Sequence, residues 1–139
     1  MKVHPIPPLS ASDWIDYDYA VVRMVPLVHL CTFQNVGVVM HARTEGFLDT
    51  RLYLNRNHLT MLCPMLDMEL VERYLDAFQR ICHGDLNAGP LAQLPPSERF
   101  QWLTIARSAV LQTSPVHGGR TRDCQETLEQ LFKAHVEGA

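Results

Sequence analysis

Apolar residues in the first half of the chain recur every second position, and later every third or fourth. Residues 17–26, 33–42 and 47–54 are short windows rich in Val, Leu and aromatic side chains, the composition of strands. Arg43-Thr44-Glu45-Gly46 separates the last two and predicts a tight turn with Gly46 free to take positive φ. Connections this short predict an antiparallel meander. The two-residue period puts Ala20, Val22, Met24, Val36, Val38, Met40, Leu48, Leu52 and Leu54 on one face, which must be covered by helices. The other face receives Tyr19, Val21, Arg23, Phe33, Asn35, His41, Asp49, Arg51 and Tyr53. That mixture predicts contact with water or with a second polar layer.

Helical spacing takes over at residue 57. Residues 57–63 predict a short helix stopped before Pro64. Asp67 is an N-cap and Gly84 a stop for a helix in which Leu70, Val71, Tyr74, Leu75, Phe78, Ile81 and Cys82 share one stripe. Residues 85–96 contain Gly89-Pro90 and Pro95-Pro96 and predict a loop, after which Ser97 caps a helical turn. Residues 108–113 predict a fourth strand, and 114–122 a loop. Asp123 caps the last helix, with Glu126 at the reciprocal capping position and Leu128, Leu131, Phe132 and His135 as its stripe.

The chain has 139 residues, 47% apolar and 19% charged, which suits one domain with a real core. Residues 1–16, with Pro5, Pro7 and Pro8, predict an extended tail, and 17–139 a single α+β domain. Its expected architecture is an antiparallel sheet of three to four strands with helices packed on one face. A formal charge of −3 argues against a general nucleic-acid coat. No apolar run reaches the ~18 residues of a membrane span, and the early prolines break the apolar helix of a signal peptide. Cys31, Cys63, Cys82 and Cys124 lack framework spacing, so the expectation is unbridged thiols in a cytoplasmic protein.

The search for chemistry is mostly negative. There is no Cys-x-x-Cys, no His-x-x-x-His and no calcium-type loop, so no metal is expected. There is no Gly-x-Gly-x-x-Gly and no Walker lysine, so no cofactor is expected. Gly37, inside a strand, predicts a bulge or a close helix contact, or else the approach of a ligand backbone. Cys124, in the first turn of a helix, lies where the dipole favours a thiolate. Residues 93–122 carry Arg99, Arg107, Arg120 and Arg122 against Glu98 alone, a local balance of +3. With Ser108, Gln112, Ser114 and His117 they suit recognition of phosphate or carboxylate, and His117 is the one candidate acid or base. The opposing reading pairs these arginines with acidic helices. Arg23 and Asn35, on adjacent strands beside Tyr19, are either a satisfied polar pair or part of a ligand or partner surface.

Tyr17-Asp18-Tyr19-Ala20-Val21-Val22-Arg23 followed by Phe33-Gln34-Asn35-Val36-Gly37-Val38-Val39 resembles the opening of a bacterial family, domain of unknown function 3037. Pro95-Pro96-Ser97-Glu98-Arg99-Phe100-Gln101-Trp102-Leu103, then Arg107-Ser108, then Ser114-Pro115-Val116-His117, resembles its second signature. The resemblance covers about residues 17–136. It implies a small stand-alone bacterial protein with no established activity. It also implies an accessory role beside a HipA-like kinase, a neighbourhood association rather than chemistry. Gln101, Ala106 and Gly118 stand where the pattern has His, Pro and Thr. The missing histidine weighs against catalysis.

Two principal readings follow. One is a non-enzymatic partner-binding or accessory module. The alternative is an enzyme or nucleotide-binding protein that holds a phosphate-bearing ligand through Arg23, Asn35, Arg99, Arg107, Ser108, Ser114 and His117. Single-strand nucleic-acid binding on Tyr19, Phe33 and Tyr53 is the weakest, because that face has few cations. An enzyme needs Arg99, Arg107 and His117 converging with Arg23 or Asn35 on one pocket.

Overall fold

A computed structural model describes residues 13–24, 34–105 and 110–138. The order is β1 (Ile15–Met24), β2 (Gln34–Ala42), β3 (Phe47–Leu52), α1 (Arg56–Leu62), α2 (Met68–His83), α3 (Pro96–Ile105), β4 (Leu111–Thr113), β5 (His117–Thr121) and α4 (Cys124–Phe132). The class is α+β with an antiparallel sheet. Among the described residues the sheet has five strands, in the order β3-β2-β1-β4, with β5 also on β1.

The helix ends follow their local chemistry. The Asp67 carboxylate accepts the Leu70 amide at 3.1 Å, and Gly84 ends α2 at φ +70°. The Arg99 guanidinium lies against Gly84, so a Cβ there would sit 3.3 Å from Arg99 Cζ as well as being strained. Asn55 caps α1 by accepting from His58 N–H at 3.1 Å. α3 starts earlier than expected, at Pro96, because proline suits a first helical position. Ser97 therefore lies inside the first turn and is not the cap. At α4 the Asp123 carboxylate accepts the Glu126 amide at 3.1 Å. The reciprocal contact expected of Glu126 is made by Thr121, whose hydroxyl accepts the Asp123 amide at 3.0 Å.

The sheet holds the main corrections. β1 pairs with β2 in register until the partners shift between Val22 and Arg23: Gly37 faces Val22, and Asn35 faces Arg23. Val36 is the extra residue of a β-bulge. A Cβ at Gly37 would run into the Arg51 carbonyl oxygen and the Leu52 side chain. Beyond the bulge the alternation of β2 is inverted. Val39 joins the core with Ala20, Val22 and Met24, while Val38 and Met40 join a different one. The shared face expected for Val36, Val38 and Met40 is therefore corrected, and so is the polar face expected for His41.

Helices consequently lie on both faces, not on one. α2 and α3 cover the first face, where Val71, Leu75, Phe78, Phe100 and Leu103 pack on the sheet. α4 covers the second, where Leu128 and Phe132 meet Val21, Val38 and Met40. This second layer is apolar at its centre, with a polar rim.

Residues 114–122, expected as a loop, contain β5. It pairs from Ile15↔Thr121 to Tyr19↔His117, and β4 pairs with Val22–Met24 farther along β1. Gly118 and Gly119 weaken the intrinsic strand signal, but the Tyr17 ring lies where a Cβ of Gly119 would project and covers it. Between the two strands the Ser114 hydroxyl accepts Val21 N–H at 2.9 Å, and the Ser114 amide donates to Val21 O at 2.8 Å. A side chain thus stands in for one main-chain acceptor where Pro115 interrupts the ladder. β1 also starts before the expected residue 17, since Ile15 and Asp16 already pair with β5.

Cys63 is disulfide-bonded, whereas Cys82 and Cys124 are free. The expectation that no cysteine is bridged is corrected. Sequence spacing cannot detect an isolated bridge, because pairing depends on distance after folding.

Candidate functional site

The bulge and the strand pairing carry a row of polar side chains onto the second face. Arg23 has Asn35 beside it on β2 and Gln112 beside it on β4. Asn35 Nδ2 donates to the His135 carbonyl at 2.9 Å, tying the π-helical turn Lys133–Glu137 to the sheet. Farther along β1, the Tyr19 ring lies 5.6 Å from His117 and 5.7 Å from His135. Burial, and then the neighbouring Tyr19, raise the Tyr17 phenol above its ordinary value of 10.0. Asn35 also lines a pocket of about 390 Å³ with Gln34, Tyr53, Asn55 and His58. Among the described residues no arginine or lysine lines that pocket.

The remaining candidates are elsewhere. Arg99 belongs to α3 on the first face, and its Nη1 donates to the Leu94 carbonyl at 2.6 Å. Its Nε is buried without a hydrogen-bond partner among the described residues. Ser114 is buried in the strand break and holds Val21. Arg107 and Ser108 lie outside the described residues. Arg120 pairs with Asp16 at 3.1 Å, and Arg122 stacks over Trp14 at 5.3 Å. The structure thus brings Arg23 and Asn35 together and puts His117 on the same face. It separates Arg99 from them by the thickness of the sheet.

Two features escaped the sequence reading. The first is an apolar groove of about 290 Å³ between α2, α3 and β4. Tyr74, Ala77, Phe78 and Ile81 form one wall, with Trp102 and Leu103 opposite. Trp102 is 50% exposed, and Ile105, a turn farther along α3, is 70% exposed. The available signal was that the apolar residues of α3 do not share one face, Phe100 and Leu103 facing in while Trp102 and Ile105 face out.

The second is His41, 7% exposed on the first face. Its ring stacks on Phe100 with centroids 5.2 Å apart, and its Nε2 lies 3.3 Å from the Ser97 hydroxyl. Burial holds the imidazole below its ordinary value of 6.5, with Asp18 opposing that shift and Arg43 adding to it. The residues are 56 apart in sequence, so no local pattern connects them.

The thiols are not activated. Burial, then the Asp49 charge, push the Cys82 thiol strongly upward. Burial, then the charges of Glu45 and Asp123, also raise Cys124, the opposite direction to the one expected from its place in the first turn of α4. Among the described residues no group of three His, Cys, Asp or Glu side chains could hold a metal ion. No described helix is long and apolar enough to cross a membrane.

No curated protein and no solved structure matches the chain. A family profile described as "Protein of unknown function (DUF3037)" matches residues 19–136, which include every described strand of the sheet in whole or part and all four helices. The chain therefore belongs to the DUF3037 family.

Proposed function

We propose that the chain is a partner-binding protein, and that the α2–α3–β4 groove receives an apolar segment of a protein partner. The observation that carries this reading is the groove's lining. Its volume of about 290 Å³ sits at the floor of the ~300–1,000 Å³ range of small-molecule clefts. Among the described residues no charged side chain lines it, and most of the side chains that do are apolar. It suits one or two apolar side chains, held against the aromatic residues that dominate protein interfaces. The phosphate-site reading needs Arg99, Arg107 and His117 converging with Arg23 or Asn35, and it is less favoured because Arg99 lies across the sheet from His117 and Arg23. The first partner to test is a HipA-like kinase, the neighbour that the family resemblance implies.

The experiment is a titration of a purified HipA-like kinase against the wild-type chain and Trp102→Ala. Expected is saturable binding that weakens by about 30-fold or more in the variant, the effect of removing an interface anchor. Binding unchanged by Trp102→Ala would refute the groove, and no binding would refute this partner. A rise in melting temperature with inorganic phosphate or ATP would favour the phosphate-site alternative.

A further inference from the structure

We propose that Ser97 and His41 form a nucleophile–base pair that accepts the acyl group of a carboxylic ester, a site distinct from the groove. Ser97 is exposed, so its hydroxyl can meet a substrate from solvent. His41 is fixed behind it, enclosed by the sheet and stacked on Phe100. Its Nε2 meets Ser97 Oγ at 3.3 Å. That is close to the ~2.6–3.2 Å reach of a working pair, which is often looser without substrate. The charges that act on the ring are Asp18, its cross-strand partner on β1, and Arg43 just beyond β2. Asp18 favours the imidazolium that forms during transfer, while burial keeps the resting ring neutral and able to accept a proton. Ser97 also occupies the first turn of α3, whose ten residues present a partial positive charge toward a developing oxyanion.

The chemistry balances with an ester and water alone. Ser97 Oγ bonds to the ester carbonyl carbon as its proton passes to His41 Nε2. The tetrahedral adduct collapses, the bond to the alcohol oxygen breaks, and His41 returns its proton to the departing alkoxide. Water then attacks the acyl carbon while His41 takes its proton. The bond to Oγ breaks, Ser97 regains a proton from His41, and a carboxylic acid leaves.

A fluorophosphonate probe applied to the purified full chain tests this, with the adduct located by mass spectrometry of peptides. Expected is one adduct, on the peptide containing Ser97, with fluoride as the leaving group. Ser97→Ala should lose it. His41→Gln should slow labelling by about 100-fold or more, the usual effect of removing a general base. The wild-type rate should fall as the pH drops through the His41 titration. Ser97 is exposed, so Ser97→Ala keeps the fold and carries the test even if His41→Gln fails to fold. An adduct on another residue, an equal rate in Ser97→Ala, a rate that ignores pH, or no adduct at all would overturn the proposal.

Discussion

The two faces of the sheet are built differently although the same strands feed both. On the first face the long stripe of α2, with Val71, Leu75, Phe78 and Cys82, lies with α3 over Ala20, Val22 and Met24. On the second, the short α4 places Leu128 and Phe132 over Val21, Val38 and Met40. There the border is closed by a cation: the Arg51 guanidinium lies 4.8 Å from the centre of the Phe132 ring, and its Nε 3.4 Å from Glu129. Val38 and Val39 are consecutive and both fully buried, yet they belong to opposite cores. A strand buried on both faces carries no alternation for a reader to follow. What marks it is an unbroken apolar run, and the run from Val36 to Ala42 is nearly that.

The largest effect should come from breaking the second face at its centre. Val38→Asp places an unpaired charge in an enclosed apolar layer and should cost about 3 kcal/mol or more, read as loss of cooperative urea unfolding. The sharper form is a double-mutant cycle. Val38→Ala should couple to Leu128→Ala by about 0.5–3 kcal/mol and not to Val71→Ala. Coupling to Val71 instead would return Val38 to the first face and remove the bulge.

Gly37→Ala comes next. It sets a methyl group against the β3 backbone and should destabilise by roughly 1–3 kcal/mol. A neutral outcome would mean that β2 and β3 can part at the bulge.

A smaller effect distinguishes the faces by pH. His41, on the first face, is held below 6.5 by burial. The unfolded chain therefore takes up a proton before the folded one does. Stability should be full above about pH 6.5, decline as the pH drops below that, and level off beneath the depressed folded value. His41→Leu should remove this component of the slope, checked by urea unfolding between pH 5 and 8. A slope unchanged in the variant would assign it to other groups.

Thiol labelling costs no stability and sharpens the same contrast. In the native protein iodoacetamide should react slowly with Cys124, and more slowly still with Cys82, because burial disfavours both thiolates. In the denatured, unreduced chain both should label, and the Cys63 peptide only after reduction. Labelling of Cys63 without reductant would contradict the bridge.

What the sequence made legible was local. Asp67 and Gly84 bound α2 as expected because a cap satisfies amides and carbonyls of its own helix. The neighbouring placement of Arg23 and Asn35 was legible too, since facing strand positions bring them together despite the bulge. What stayed hidden depends on partners distant in the chain. β5 forms because β1 offers it an edge and Tyr17 shelters its glycines, not because Gly118-Gly119 favours a strand. The separation of Arg99 from His117 is set by which face α3 chooses. The arginine-rich segment looked like one site because charges adjacent in sequence need not share a surface once a sheet comes between them.

Asp49 is a single carboxylate whose position bears on how the chain should behave at high concentration. Its Oδ1 accepts the Thr50 amide at 2.8 Å and lies 2.9 Å from His83 Nε2. Among the described residues β3 is the last strand on its side of the sheet, and such a margin would otherwise template the strand of another molecule. By occupying a main-chain donor at that margin, Asp49 should hinder the addition of such a strand. Asp49→Ala should therefore leave the melting temperature nearly unchanged while turbidity on prolonged incubation rises with protein concentration; a variant as clear as the wild type would deny the residue that duty.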